Sequence, residues 1–491
     1  MKEVMITSSH EKAAPEQPGR LHGKLGVLSI SLIVIAGAAP LCVVGGPMAL
    51  GLALGNGAGL PAAYLATLAV LLLFVIGFTT MTPFVRSTGA FYSYVHAGLG
   101  RTAGIGTGYL AILSYTCIYI GLYVLLGTGT DAMVRSYGAP SMPWWAWAAV
   151  GLGIISFLGH RNVEVSGKIL GVLLVAEVSL ILVLNVWTVV RGGGPEGLSR
   201  GFVSVEDIFS GAPGAALIFA VLSFIGIEAA AVFQDETKDP VRTVRRATVI
   251  SVTVVGLFYA VTSWSVISGI GDSEVVAAAT SDPEGLLSSV TRQYLGPVGA
   301  DLIVPLFVTS TFAAALTWHN ILSRYILSLS SQTLLPRRLA AVHPKHDSPH
   351  RGSLAVTAAA VGVVALAVAF GLDPMSQLYT WTSGLGSVGY VILLVLTCSA
   401  VLAYFRRESH GTSVLRTLVT PLLALAGLLV ILAAMLLNLD LLTGGDQSVS
   451  VAIIMLLVGA LALGPVMGRL RPPTGVPLAD PDNNFTQGQE H

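Results

Sequence analysis

Long apolar stretches dominate this chain of 491 residues and limit what it can fold into. Hydrophobic residues make up 54% of the sequence. Only 11% of the residues are charged, against roughly 25% in an ordinary soluble domain. A helix of about 20 apolar residues is long enough to cross the hydrocarbon core of a bilayer. The sequence therefore predicts an all-α integral membrane protein surrounded by lipid.

Counting stretches of this length predicts twelve membrane-spanning helices within residues 25–468. Their approximate boundaries are 25–54, 60–82, 104–134, 143–159, 166–190, 212–234, 243–269, 298–331, 352–370, 375–404, 412–437 and 447–468. The polar segments 1–24 and 471–491 are predicted to be tails.

The distribution of Lys and Arg predicts which side of the membrane each tail occupies. With the N-terminus inside, 22 of the 26 basic residues fall in cytoplasmic segments, and the four outside are Arg135, Arg191, Arg200 and Arg292. Cytoplasmic loops carry an excess of Lys and Arg in membrane proteins. We therefore expect a multi-pass protein of the inner or plasma membrane with both tails in the cytoplasm.

Two of the predicted spans are broken near their middle. The first span is interrupted at Gly37-Ala38-Ala39-Pro40, and the sixth at Ile225-Gly226-Ile227-Glu228. Backbone freed by a break cannot face lipid, so it must line a polar cavity. Paired breaks in corresponding spans of opposite direction are typical of inverted repeats with a substrate site between them. We expect repeats at 25–190 and 212–404, with the last two spans, 412–468, outside them.

The first break, together with the second, predicts a binding site for the carboxylate and the ammonium group of a small substrate. Pro40 suits the first position of a new half-helix, whose free N–H groups can receive a carboxylate, and Gly37 permits the backbone to turn beforehand. Ala38 and Ala39 leave room for a ligand. Carbonyl groups near Phe224 and Ile225 would face an ammonium group. The alternative is a proline kink that only shapes packing.

Two carboxylates lie deep in the predicted spans, Glu177 in the fifth and Glu228 at the sixth break. An ionisable group in the bilayer is costly and is a functional hypothesis by default. We interpret both as proton- or cation-coupling groups, with a protonated carboxyl between helices as the alternative. Three hydroxyl residues of the eighth span, Thr309, Ser310 and Thr311, could complete a site with Glu177 or bond to their own helix.

Several other side chains are candidates with packing as the alternative role. Tyr115, Tyr119 and Tyr123 form one stripe on the third span, and substrate contact is predicted for Tyr115 and Tyr119. Trp381 in the tenth span is a candidate gate over the cavity. For His319 in the eighth span we favour a packed histidine over a proton relay.

Other classes of function lack support in the sequence. There is no phosphate-binding glycine loop and no metal-spaced His/Cys cluster, so we expect neither an enzyme nor a cofactor. The three cysteines, Cys42, Cys117 and Cys398, fall in apolar segments and are interpreted as packing residues. Partners are expected to be a small-molecule substrate and protons, with sodium as the alternative ion, and no nucleic acid. The chain is expected to be a monomer or a homodimer.

These features together resemble the amino acid–polyamine–organocation (APC) family of secondary transporters. The resemblance covers about residues 25 to 340 and rests on the two breaks and on four short segments: Gly89-Ala90-Phe91-Tyr92, Ser223-Phe224-Ile225-Gly226-Ile227-Glu228, Glu236-Thr237-Lys238-Asp239-Pro240-Val241-Arg242-Thr243, and Ser323-Arg324 followed by Leu335-Pro336.

The resemblance implies the LeuT-type fold and a substrate held by the two broken helices, at 37–40 and 224–228. Glu177 lies where some proton-coupled members carry a lysine. We predict a proton-coupled permease for amino acids or related amines that works by alternating access. The alternatives are an antiporter exchanging substrate for product, and a substrate sensor or subunit of a larger complex that does not transport.

Overall fold

The computed structural model describes residues 26–85, 91–161, 167–226, 240–332, 334–343, 348–407 and 411–470. Within these ranges the chain forms helices and connecting loops, and a single isolated β-bridge joins Gly194 and Gly197. Helices suit a bilayer because each one satisfies its own backbone hydrogen bonds.

The α-helices are numbered in chain order for the description below. They are α1 Val27–Ala38, α2 Pro40–Gly45, α3 Pro47–Leu54, α4 Leu60–Met81, α5 Phe91–Leu99, α6 Arg101–Ser136, α7 Trp144–His160, α8 Gly167–Val190, α9 Val205–Ile208, α10 Pro213–Ser223, α11 Pro240–Ile270, α12 Val275–Ser281, α13 Leu286–Ser331, α14 His350–Ala369, α15 Thr380–Arg407, α16 Thr420–Leu437, α17 Leu439–Leu442 and α18 Gln447–Leu470. The π-helical turns Pro374–Tyr379 and Leu415–Val419 lead into α15 and α16.

Ten helical stretches of the described chain are long and apolar enough to cross a membrane. They coincide with ten of the twelve predicted spans. The other two predicted spans correspond to shorter apolar helices, α7 and α10. The all-α membrane-spanning architecture is thus present, whereas twelve complete crossings remain a prediction, because α10 ends at Ser223 and residues 227–239 lie outside the description.

Helix α8 has apolar side chains on its exposed face and a carboxyl group on its buried face, the reverse of a surface helix in a soluble protein. Val172, Val175 and Val186 are exposed on its outer face, where lipid would contact them. Its buried face carries Glu177 together with Ile181. Polar groups therefore concentrate in the interior of the bundle, as expected when the solvent is hydrocarbon.

Helix α13 runs through the centre of the bundle and positions the site. It packs against α2, α6, α8 and α14. The backbone at Gly296 is non-helical, with φ 75° and ψ −172°, and Pro297 follows. This interruption explains why the predicted eighth span begins near residue 298, since the preceding helical residues form a separate piece.

Candidate functional site

The break in the first span lies at Ala39, between α1 and α2. Ala39 has φ 46° and ψ 72°, in the left-handed region, and is the one non-glycine residue with positive φ in the described chain. This conformation costs a non-glycine residue roughly 1–2 kcal/mol. Pro40 occupies the first position of α2, as predicted. Such local strain persists at functional sites when the surrounding structure enforces it.

The break in the sixth span begins where α10 ends at Ser223. The backbone N–H groups of Phe224 and Ile225 close the helix by donating hydrogen bonds to the carbonyls of Val221 and Leu222, 2.9 and 3.3 Å long. Gly226 then has φ 109°, a backbone conformation that favours glycine. Glu228, predicted as a substrate and coupling residue, lies outside the described residues.

The two breaks meet in the interior of the bundle. A Cβ atom built on Gly226 would lie 3.9 Å from the carbonyl oxygen of Gly37 and 3.6 Å from the indole of Trp318. These are ordinary van der Waals distances, so the two breaks are in contact, and the positive φ of Gly226 rather than a lack of space is what favours glycine there. The sequence predicts that these two breaks form one site, and the structure brings them together.

A cavity of about 50 Å³, called the central cavity below, lies beside the two breaks. Its lining residues are Gly37, Ala38, Ala39, Cys42, Val43, Pro47, Ile118, Leu122, Leu125, Leu222, Ile225, Ala314, Trp318, Tyr379 and Ser383. The lining is mostly apolar with a few polar groups, the usual composition of a small-molecule site. Four predicted substrate residues, Gly37, Ala38, Ala39 and Ile225, are among them.

The amide groups at the start of α2 are less free than the sequence predicts. Pro40 has no N–H, the amide of Cys42 donates to the hydroxyl of Ser310 at 3.4 Å, and that of Val43 donates to the carbonyl of Ala39 at 3.1 Å. On the other side of the break, the hydroxyl of Tyr259 donates to the carbonyl of Ala38 at 3.2 Å. The break thus uses several of its own polar groups for internal bonds.

Two predicted aromatic contacts are placed behind the cavity rather than in it. Tyr115 packs against Trp318 with ring centroids 5.2 Å apart, and Trp318 lines the cavity. Phe224 is fully buried and meets the ring of Tyr259 edge-on, 6.2 Å between centroids. Both therefore support residues that line or close the site, since their own rings do not reach it.

Tyr119 is also absent from the cavity lining, because the tyrosine stripe of α6 faces a different direction. The face of α6 at the cavity carries Ile118 and Leu122 instead. The hydroxyl of Tyr119 lies 2.7 Å from that of Tyr123 and 2.6 Å from Nδ1 of His319. Periodicity finds the stripe but cannot tell which neighbouring face of the helix meets the cavity.

The aromatic residue that the tenth span contributes to the cavity is Tyr379. Trp381 is not part of the lining, and its indole N–H is buried without an acceptor among the described residues. Tyr379 and Ser383 lie four positions apart, on one face of the helix, and both line the cavity. That i, i+4 polar pair is the sequence signal that could have identified them.

Glu177 lies next to the first break, in contact with one of the three predicted hydroxyls. Its side chain is 4% exposed and hydrogen-bonds to Ser310. Thr309 and Thr311 donate to the carbonyls of Leu306 and Phe307 on their own helix, at 3.0 and 2.8 Å. Of the three candidates, Ser310 is therefore the one joined to Glu177.

Ser310 also connects this carboxyl to the central cavity. Its oxygen accepts the 3.4 Å bond from the amide of Cys42, and Cys42 lines the cavity. The thiol of Cys42 in turn hydrogen-bonds to Thr311. Glu177, Ser310 and Cys42, called the carboxyl chain below, link α8, α13 and α2. From the sequence Cys42 is interpreted as a packing residue, whereas in the structure it lines the central cavity.

His319 lies on another part of α13, in a second polar cluster. It is fully buried, with Nδ1 at 2.6 Å from the hydroxyl of Tyr119 and Nε2 at 2.7 Å from that of Ser353. With Tyr123 these residues, called the histidine cluster below, link α6, α13 and α14. Among the residues that the structure describes, no three His, Cys, Asp or Glu side chains converge as a metal-binding group.

Comparison with known proteins identifies the class. The family model described as amino acid permease matches residues 25–461, most of the chain. The chain therefore belongs to the amino acid permease family, within the APC group that the sequence resembles. It is a multi-pass membrane transporter and not an enzyme.

Individual relatives agree with this assignment, and a solved structure shares the fold. A probable GABA permease of Pseudomonas aeruginosa is 25% identical over 488 residues, covering 97% of this chain and 98% of the relative. A branched-chain amino acid permease of Bacillus subtilis is 22% identical over 369 residues, covering 71% and 74%. The crystal structure of a mutant manganese transporter from Eremococcus coleocola superposes with a TM-score of 0.60 at 12% identity, covering 92% of this chain and 98% of that one. This structural likeness shows the shared transporter fold, and the predicted fold class is confirmed.

Proposed function

We propose that this permease takes up an amino acid together with a proton across the cell membrane, by alternating access, with the substrate held in the central cavity. The carboxyl chain is the single observation that carries the proposal. It joins a buried carboxyl on α8 to a residue that lines the cavity on α2. Intramembrane carboxyl groups that face a cavity are typical of proton relays in transporters.

The coupling step follows from the hydrogen-bonding capacity of Glu177. When ionised, the carboxylate can only accept a bond, and Ser310 must donate to it. When protonated, the carboxyl can donate, and the hydroxyl of Ser310 is free to reorient. Protonation would therefore alter the bond between Ser310 and the amide of Cys42, at the half-helix that lines the cavity. A proton can drive transport only through such a difference between two states.

The substrate class follows from the lining and from the relatives. No charged side chain of the described residues lines the central cavity. The ammonium and carboxylate of an amino acid would then meet backbone groups of the two breaks, while Ile118, Leu122 and Val43 accommodate an apolar portion. Relatives are named for γ-aminobutyrate and for branched-chain amino acids. We propose small amino acids with a short or aliphatic carbon chain.

Uptake into proteoliposomes tests the proposal. Radiolabelled leucine and γ-aminobutyrate are offered with an inward proton gradient, with an inward sodium gradient, and with neither. We expect accumulation above the external concentration only with the proton gradient, and its loss when a protonophore collapses that gradient. Accumulation with the sodium gradient alone would contradict proton coupling and indicate sodium coupling. Uptake that needs substrate inside the vesicles and no ion gradient would indicate exchange.

A further inference from the structure

A second cavity of about 430 Å³ lies close to the central one. Arg135, Asp282 and Glu284 are among its polar lining residues. Because Arg135 is one of the four basic residues predicted outside, this space is called the outer cavity. Leu125 lines both cavities. The two spaces are thus neighbours that share the side chain of Leu125.

Phe307 of α13 lines the outer cavity together with Leu125 and packs against α2 and α6. A Cβ atom built on Gly45 of α2 would lie 2.8 Å from the Phe307 ring, and one built on Gly129 of α6 would lie 2.7 Å from it. Real side-chain contacts are longer than this, so the ring occupies space that only glycine at both positions leaves. Gly45, Gly129 and Phe307 all line the outer cavity.

Leu125, which lines both cavities, also packs against the end of α2. Its methyl groups lie 3.2 and 3.5 Å from the position of a Cβ on Gly46, the residue after Gly45. Two apolar side chains from two different helices therefore close against two adjacent glycines at the end of α2. Small residues allow this kind of close approach where membrane helices pack against each other.

Helix α2 is a short helix with a backbone bend at each end. It has six residues and is bounded by Ala39 in the left-handed region and by Gly46 with φ −118° and ψ −91°, after which Pro47 begins the next helix. Cys42 and Val43 face the central cavity, and Gly45 faces the outer one. Hinges of this kind are a few residues at the ends of elements. A tilt of α2 at these two bends would carry Gly45 and Gly46 away from Phe307 and Leu125.

We propose that Phe307, seated between Gly45 and Gly129 and assisted by Leu125, is the gate between the outer cavity and the central cavity. The gate opens when α2 tilts at Ala39 and Gly46. The inference rests on the proposed function only in taking the central cavity as the substrate site. The carboxyl chain contacts the same short helix at Cys42, so the coupling group and the gate act on one element.

Reaction of Cys42 with a thiol reagent reports on the gate, since this residue lines the central cavity. In full-length protein with Cys117 and Cys398 replaced by Ala, reconstituted in lipid nanodiscs, the rate of labelling by a trimethylammonium methanethiosulfonate reagent is measured by mass spectrometry. We expect Phe307→Ala to raise the rate about tenfold, because the accessible fraction of the protein rises. Phe312→Ala removes an equal side chain from the same helix, outside the lining of both cavities, and should leave the rate at the parental value.

The labelling rates test the gate, and protection by substrate tests the central cavity as the substrate site. Equal rates for Phe307→Ala, Phe312→Ala and the parent would overturn the gate. If Phe307→Ala does not yield a monodisperse protein, Phe307→Leu decides, with a smaller but measurable acceleration expected. A mixture of leucine and γ-aminobutyrate should slow labelling of the parent. Faster labelling in Phe307→Ala without such protection supports the gate and counts against the central cavity as the amino acid site.

Discussion

The carboxyl chain and the histidine cluster are two polar groups on opposite sides of one helix. Ser310 and His319 are nine positions apart on α13, which is two and a half turns at 3.6 residues per turn. Ser310 therefore faces α2 and α8, whereas His319 faces α6 and α14. The same central helix serves the broken first span on one side and unbroken helices on the other.

The two groups differ in what their bonds can do. In the histidine cluster both ring nitrogens of His319 have short hydrogen bonds to side chains of α6 and α14, and the hydroxyl of Tyr119 also bonds to Tyr123 on its own helix. A fully satisfied buried network makes packing rigid. The carboxyl chain instead connects a carboxyl that can exchange a proton to a six-residue helix with a bend at each end. With the proposed tilt of α2, α13 has a fixed side at the histidine cluster and a movable side at the carboxyl chain.

The largest effect is expected from filling the site on the movable side. Ala38→Leu adds three carbon atoms to a residue that lines the central cavity of about 50 Å³. We expect loss of the thermal stabilisation that leucine or γ-aminobutyrate confers on the purified protein, because binding to the folded state is what raises its melting temperature. Ala359→Leu, on the exposed face of α14, is the matched control and should keep the full shift. Full stabilisation of Ala38→Leu would place the substrate elsewhere.

The next effect tests whether the carboxyl chain carries the proton. Glu177→Gln keeps the size and hydrogen bonding of the side chain but cannot take up or release a proton. We expect gradient-driven accumulation to fall about tenfold or more, whereas exchange at equal pH across the membrane persists, because only coupling is lost. Glu196→Gln changes an exposed carboxyl bonded to Ser273 and serves as the control. Equal loss of both activities in Glu177→Gln would indicate a packing role and would remove the functional difference between the two sides.

On the fixed side, removal of the ring should reduce stability and leave coupling intact. His319→Ala deletes two hydrogen bonds and leaves the hydroxyls of Tyr119 and Ser353 buried without this partner. We expect the free energy of unfolding, measured by denaturant titration in micelles, to fall by about 2 kcal/mol. The ratio of accumulation to exchange should match the parent. A selective loss of accumulation in His319→Ala would indicate that the histidine cluster is part of the proton path. The carboxyl chain and the histidine cluster would then not differ in function.

The smallest effect concerns the end of the same cluster. Tyr123→Phe removes one hydroxyl, while Tyr119 keeps its bond to His319. An interhelical hydrogen bond in a membrane protein contributes about 0.6 kcal/mol on average, and this bond within one helix should contribute no more. Tyr119→Phe interrupts the cluster in its middle and should cost more than Tyr123→Phe in the same titration. The reverse order would show that the bond to His319 is the weaker one.

Much of the architecture could be predicted from the sequence because its causes are local. Ten of the twelve predicted spans recur as long apolar helices, and the remaining two as shorter ones. The break at Ala39 was predicted because Pro40 cannot continue a preceding helix and small residues precede it. Gly226 was predicted for the same kind of reason, a residue type that tolerates a backbone conformation closed to others.

The lining of the central cavity matches the predicted site residues in part, and the differences share one cause. Gly37, Ala38, Ala39 and Ile225 were identified from the breaks themselves. Tyr119 and Trp381 were chosen by residue type, whereas Ile118, Tyr379 and Cys42 line the cavity. A regular helix presents every side chain to some neighbour, and its sequence does not say which neighbour lies on which side. The angular setting of each helix is decided by packing against the others.

The sequence by itself determined that this chain spans a membrane, where its helices begin and break, and which residues are costly to bury in lipid. These properties depend on the transfer of single residues and short segments from water to hydrocarbon, which needs no knowledge of neighbours. Only the tertiary structure decided that Gly226 lies against Gly37, that Ser310 and not Thr309 bonds to Glu177, and that Phe307 fits between Gly45 and Gly129. Those contacts join residues far apart in the chain, and close packing of the whole bundle selects them.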